Sequence, residues 1–387
     1  MSDFKSKLEN FFERIEGAFD ERSLRRRQKR NFDNPLKIVP FFGYGTNKKI
    51  RIKGRVLEDE GAIVSHEDDS VWRNIFNMYR RFETDEIPFA KVKAIFQNSE
   101  IETTADDEGY FTAEFSNVEM LSEKLWQEVG FELLEPISID NQQPQTTGSF
   151  LTSVSSAKFG IISDIDDTVI STNVLNRLKM LITTIASNEH TRVPFEGVSA
   201  FYKALQKGSS GNENNPIFYV SSSPWNLYGF LIEIMRKHEI PFGPLFLKDF
   251  GSHTIFSGGD HLGHKLENIT QILETFSHLP FILIGDSGEK DPEIYRQIIE
   301  QFPNRIRAVY IRDVNPNPVR RESITKLITE INEKGRELVL APDSEFAARH
   351  AAENKLISTD ALASVIKKKV SDENAPTISE TIVDEIS

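Results

Sequence analysis

A short apolar run that ends in paired carboxylates constrains this chain more than any other feature. Phe159-Gly160-Ile161-Ile162-Ser163 leads directly into Asp164-Ile165-Asp166-Asp167-Thr168. An unbroken apolar run of this length predicts a buried strand. Two acids one residue apart then fall at its carboxyl end, which is the edge where ligands bind in open α/β sheets. Unpaired charge is costly to bury, so few structural roles call for Asp-x-Asp there. Side chains alternate along extended chain. A turn after Asp164 lets that acid face a substrate while Asp166 stands beside it.

The same pattern repeats downstream. Apolar runs at 217–220, 281–284 and 308–311 predict short strands, and Leu245-Phe246-Leu247-Lys248 reads as another. Helical stretches at 198–206, 225–238, 266–276 and 292–301 lie between them. Alternating strands and helices predict an α/β domain with a parallel sheet and helices on both faces. Further helices are expected at 320–333 and 343–354, with an acidic tail from about residue 371.

The texture upstream is different. Lys49-Ile50-Arg51-Ile52-Lys53-Gly54-Arg55-Val56 alternates, as does Ala90-Lys91-Val92-Lys93-Ala94-Ile95-Phe96, and further strands fall near Tyr110 and Val129 to Leu133. Strands separated by Gly, Asp and Asn turns predict a small antiparallel β-sandwich, with a helix inserted around Trp72 to Arg81. Asp106, Asp107 and Glu108 read as a solvated turn rather than a calcium site. The expected divisions are an amphipathic and basic segment at 1–37, the sandwich at 38–140, a linker at 141–156, the α/β domain at 157–355, and a helix with an acidic tail at 356–387.

Phe4, Leu8, Phe11, Phe12, Ile15 and Phe19 share one helical stripe, followed by Arg22, Arg25, Arg26, Arg27, Lys29 and Arg30. Such a segment docks on a packed partner or on anionic lipid, so residues 1–30 are the candidate for peripheral membrane contact. No apolar run approaches the roughly 18 residues of a membrane span. A soluble cytoplasmic protein is therefore expected. The net charge of -13 argues against a nucleic-acid partner. The absence of cysteine excludes disulfides, thiolate metal sites and a cysteine nucleophile.

Four of the strand and helix junctions carry reactive groups. The first strand supplies Asp164 and Asp166, then Thr168. The second supplies Ser221, with Ser222 and Ser223 as rivals for the position facing the pocket. A helix start supplies Lys265, with Lys248 as its rival. A late strand ends in Gly285-Asp286-Ser287-Gly288-Glu289-Lys290-Asp291. Carboxylates converging in an oxygen-rich pocket suit Mg²⁺. A hydroxyl and a lysine suit the oxygens of a phosphoryl group. His253, His261 and His264 read as a loop near the site mouth.

These motifs resemble those of the haloacid dehalogenase superfamily of phosphotransferases. Asp164 to Thr168 matches its Asp-x-Asp-x-Thr motif, Ser221 the second, Lys265 the third, and Gly285, Asp286 and Asp291 the fourth. The wider stretches Tyr219 to Tyr228 and Gly285 to Tyr295 resemble the catalytic domain of the actin-patch-protein-type phosphatidate phosphatases, to which lipins are related. The resemblance implies a haloacid-dehalogenase-like fold and Mg²⁺-dependent hydrolysis of phosphatidate or another phosphomonoester. It implies Asp164 as nucleophile and Asp166 as general acid and base. Ser221 and Lys265 would bind the phosphoryl group, and Thr168 would fix the loop after the nucleophile. Asp164, the carbonyl of Asp166, and Asp286 would hold the metal, and Asp291 would support the metal shell or orient Lys265.

Overall fold

The computed structural model describes residues 34–59, 86–119, 123–138, 143–165, 197–248, 261–315, 317–333 and 337–373. The stripe and basic run of residues 1–30, the helix expected at Trp72 to Arg81, and residues 374–387 lie outside the described residues. So do Asp166, Thr168 and His253.

Eight strands of the first unit are described: β1 (Leu36–Pro40), β2 (Gly43–Gly45), β3 (Lys49–Glu58), β4 (Lys91–Phe96), β5 (Ser99–Thr104), β6 (Tyr110–Ser116), β7 (Trp126–Glu135) and β8 (Gln145–Leu151). Period-two alternation puts Ile50, Ile52, Val92, Ala94, Phe96, Val129, Phe131 and Leu133 inside. The ladders are antiparallel except β2 with β8, which is parallel. The expected sandwich needs correction. The strands form one continuous sheet, ordered β1-β3-β2-β8-β7-β4-β5, with β6 on β3. That sheet curls around its own core, and Thr103 Oγ1 of β5 donates to Thr112 O of β6 at 3.0 Å.

The expected linker at 141–156 also needs correction, because β8 lies within it. Gln145–Leu151 pairs with β7 along its length. Its first residues are polar and partly exposed while Gly148, Phe150 and Leu151 are buried. A polar composition here reflects one solvated face, not a loose tether.

The second unit is a parallel sheet of six strands: β9 (Gly160–Asp164), β10 (Ile217–Pro224), β11 (Leu245–Lys248), β12 (Phe281–Asp286), β13 (Ile306–Arg312) and β14 (Leu338–Ala341). Their order is β11-β10-β9-β12-β13-β14. The described helices are α1 (Val198–Lys207), α2 (Tyr228–Lys237), α3 (His261–Thr275), α4 (Asp291–Gln301), α5 (Pro318–Glu333), α6 (Ser344–Glu353) and α7 (Thr359–Glu373). Helix α7 runs two residues past the point where the acidic tail was expected to begin.

Strand alternation sorts these elements into two cores. Ile161, Ile217, Tyr219, Ile282, Ile284 and Tyr310 face α1, α2, α6 and α7. Ile162, Phe218, Val220, Phe281, Leu283 and Val309 face α3, α4 and α5. A sheet apolar on both faces must be covered on both, which gives three layers. The sequence of strands leaves β9 in one direction to β10 and β11, and in the other to β12, β13 and β14. The crevice at the carboxyl ends of β9 and β12 is thus the topological switch point, where ligands bind in this architecture.

Aromatic side chains weld the two units. Phe41 stacks on Trp225 at 5.1 Å between ring centroids and packs on Tyr228 at 4.2 Å. Tyr228 Oη accepts a hydrogen bond from Phe42 N at 2.8 Å. Tyr44 meets Phe246 at 5.0 Å, and Lys53 Nζ lies 4.5 Å from the Trp225 ring centre. Trp225 is therefore a packing residue at the seam between the two units. Gly43 and Gly45 let β2 lie against β3, since a Cβ at either would collide with β3 backbone. Phe41 belongs to the same buried cluster as the core of the parallel sheet. Phe41→Ala is expected to cost about 3–5 kcal/mol and to loosen both units together, seen as one shifted transition in urea unfolding rather than two.

Candidate functional site

Register brings the acids together. Val220 stands opposite Asp164, and Ile284 opposite Ser163. Asp164 therefore ends β9 beside Val220, in the middle of β10, and next to the end of β12. Ser163 is fully buried behind it, with its Oγ 2.7 Å from Tyr202 Oη and donating to Asp164 O at 2.8 Å. Ser221 follows Val220 and is fully buried, while Ser222 and Ser223 are half-buried. Ser223 N donates to Ser221 Oγ at 2.9 Å.

The loop from β12 into α4 is built around its own acids. Asp286 Oδ1 accepts from Gly288 N at 2.8 Å and Glu289 N at 3.0 Å. Asp291 Oδ2 accepts from Asp286 N at 3.1 Å. Gly285 has no side chain because any Cβ there would strike the Asp291 carboxylate. Tyr295 Oη donates to Ile284 O at 2.7 Å and ties α4 to β12. Ser287 Oγ accepts from Val314 N and Asn315 N, at 2.9 and 3.0 Å. Arg320 pairs with Glu293 and donates to Glu289 O at 2.6 Å.

Lys265, in the first turns of α3, joins these parts. Its Nζ donates to Asp164 Oδ1 at 2.8 Å, Glu289 Oε2 at 2.7 Å and Asp291 Oδ1 at 3.0 Å. Lys265 is 3% exposed and Asp291 fully buried. Burial raises the Asp291 carboxyl above the usual carboxylate range. Lys265 opposes that rise, and the Asp286 charge adds to it. Lys248 ends β11, two strands away from β9. Of the two lysines weighed from sequence, the structure brings Lys265 to Asp164.

One oxygen from each of Asp164, Asp286 and Asp291 lies within 4.8 Å of the others. Opposite ligands of a single Mg²⁺ ion stand about 4.2 Å apart, given metal–oxygen bonds of about 2.1 Å. Three carboxylates, Asp164, Glu289 and Asp291, contact the one ammonium, and Asp286 lies beside two of them. The donor set is all oxygen and the charge excess is negative, so the residues fit a hard divalent cation. His264 sits on α3 with Asn268 Nδ2 3.1 Å from its Nε2, and is not part of that acid cluster.

Sequence reasoning placed Asp164, Asp286, Asp291 and Lys265 in one site, and they meet. It gave no role to Glu289. The signal that would have found it is position: an acid between Asp286 and Asp291, on the short connection of residues 287–290, has little room to point elsewhere. The roles of Ser287 and Arg320 depend on a segment about 30 residues downstream, which no local motif encodes.

Fold and site together define a doubly wound α/β domain with an acidic, lysine-bridged cluster at its switch point. Residues 159–313 match the family model described as phosphatidate phosphatase APP1, catalytic domain, which bears out the resemblance read from the motifs. The chain is 35% identical to phosphatidate phosphatase APP1 of Saccharomyces cerevisiae over 162 residues, covering 41% of this chain and 26% of that protein. It is 31% identical to an uncharacterized protein of Schizosaccharomyces pombe over 156 residues, covering 40% of this chain and 25% of that protein. The chain thus spans about a quarter of the length of the curated relatives it matches. Among solved structures, a Bifidobacterium dentium beta-glucuronidase aligns at 8% identity and a TM-score of 0.23, over 89% of this chain and 67% of that one; so low a score carries no argument.

Millimolar Mg²⁺ is expected to raise the melting temperature of the protein by several degrees, since a ligand that binds only the native state stabilises it. Asp286→Asn should lose most of that rise. An equal shift in both proteins, measured by differential scanning calorimetry, would place the cation elsewhere.

Proposed function

We propose that this chain is a Mg²⁺-dependent phosphomonoester hydrolase acting through an aspartyl-phosphate, with phosphatidate as substrate and diacylglycerol as product. The observation that carries the reading is the contact of Lys265 with Asp164 within an acid cluster of ion-binding dimensions. The match of residues 159–313 to a phosphatidate phosphatase catalytic domain, and the name of the yeast relative, support phosphatidate as the substrate.

In this reading an Asp164 carboxylate oxygen attacks phosphorus as the bond to the lipid oxygen breaks. Asp166 gives its proton to that leaving oxygen. It then takes a proton from the water that attacks the aspartyl-phosphate, so that inorganic phosphate leaves and Asp164 is restored. Lys265 and Ser221 bind the phosphoryl oxygens and balance their charge. Thr168 fixes the turn after the nucleophile. Asp164, Asp286 and the carbonyl of Asp166 would hold Mg²⁺, and Asp291, hydrogen-bonded to Lys265, orients the lysine. The cation supplies the positive charge that lets a carboxylate approach a phosphate dianion. Without a counter-charge the cluster of acids would repel its own substrate.

Phosphate release from phosphatidate in mixed micelles with Mg²⁺ tests the proposal. The intact protein should turn over and chelation should stop it. Asp164→Asn and Asp166→Asn should each lose at least about a thousandfold in kcat with unchanged circular dichroism. Wild-type rates from either variant would sink the assigned roles. Turnover confined to small soluble phosphomonoesters would move the substrate but keep the chemistry. A folded protein with no turnover on either would leave a binding module.

A phosphatidate hydrolase must work at a bilayer surface, and residues 1–30 are proposed to supply the contact. No helix among the described residues is long and apolar enough to cross a membrane. Removing residues 1–30 is expected to weaken cosedimentation with anionic vesicles and to spare hydrolysis of a short-chain soluble phosphatidate. Vesicle binding that survives the deletion would assign the contact to another surface.

A further inference from the structure

We propose that Glu289 is a built-in competitor for Lys265, occupying the lysine with a carboxylate until a phosphoryl group displaces it. The inference rests on the phosphatase reading and extends it to how the site controls anion entry.

An ammonium has three N–H donors, and among the described residues three carboxylates meet Lys265 Nζ at 2.7 to 3.0 Å. An incoming phosphoryl oxygen therefore reaches the lysine by replacing one of them. The three are not equivalent. Asp291 is fully buried and also accepts the Asp286 amide. Asp164 is held at the end of β9, with its side chain 4% exposed. Glu289 is the most accessible, at 15%, and makes the shortest contact. It also stands outside the three-acid group that fits an ion. Of the three, it is the carboxylate on the solvent side of the lysine.

The Glu289 backbone is fixed on the loop that carries the side chain. Its N–H is bound by Asp286 and its carbonyl by Arg320. The preceding residues are tied through Ser287 to Val314 and Asn315. Displacement is then a rotation of one side chain on a fixed loop, with no closure of a segment. The exchange replaces a carboxylate by a phosphoryl dianion, which is the stronger partner for an ammonium. It keeps Lys265 paired throughout, so the buried cation is never bare. The result is a site whose affinity for anions is set below what Lys265 alone would give.

The test uses the full chain with saturating Mg²⁺. Inorganic phosphate is the probe, read by isothermal titration calorimetry and as a competitive inhibitor of short-chain phosphatidate hydrolysis. Glu289→Gln removes the charge while keeping shape. It should tighten phosphate binding about tenfold, the scale expected when a like charge facing the ligand is removed. KM should fall with it, while Glu289→Asp stays near the parent. Unchanged or weaker phosphate binding by Glu289→Gln would overturn the proposal. So would a fall in kcat with no change in phosphate affinity, since that marks Glu289 as a support for Lys265. Glu289→Ser serves as the second variant where Glu289→Gln does not fold, with the same expected tightening. Calorimetry separates the two readings. Tighter phosphate binding without any Asp164-dependent hydrolysis would leave the competitor standing and remove the phosphatase.

Discussion

The Lys265 ammonium, buried among carboxylates, is the contact on which the rest of the site depends. Each acid alone would be costly to hold at such depth, and so would the lysine. Together they offset one another, and the cluster keeps an excess of carboxylates over cations. A structure that needed only stability would replace such a group with packed apolar side chains at little loss. Its presence at the carboxyl edge of a parallel sheet points to chemistry.

Three separate parts of the chain must agree to make that contact. β9 supplies Asp164, α3 supplies Lys265, and the β12–α4 loop supplies Asp286, Glu289 and Asp291. Strand order sets β9 beside β12, and ladder register sets Asp164 level with the end of β12. The absence of a side chain at Gly285 lets Asp291 fold back against its own strand. Arg320, from α5, then fastens the loop from outside. Small, ordinary interactions of this kind fix the positions of the charged groups.

The physical unit is larger than the stretch that matches the catalytic-domain family. Residues 159–313 hold the strands that carry the acids, yet α6 and α7 close one face of the sheet. The curled β unit packs Phe41 and Phe42 against the turn after β10, a few residues from Ser221. The strand that leads into that turn bears one of the expected phosphate contacts. The β unit thus braces the segment that carries Ser221, which gives it a role beyond that of an appended module.

Much of the arrangement was legible in the chain itself. Apolar runs ending in Asp, Ser and Gly-Asp marked the strands and the edge at which they react, because burial on both faces demands unbroken apolar residues. Asp164, Asp286 and Asp291 could be named from their motifs, and Lys265 as one of two candidate lysines. β1, β2, β5, β8 and β14 escaped notice; β8 is polar over its first half, and β5 is polar along its whole outer face. What only the tertiary structure decided was which groups touch. It chose Lys265 over Lys248 by strand order, put Glu289 on the lysine, and made one curled sheet of the strands read as a sandwich. Those outcomes depend on contacts between residues distant in the chain, and local periodicity carries no information about distance in space.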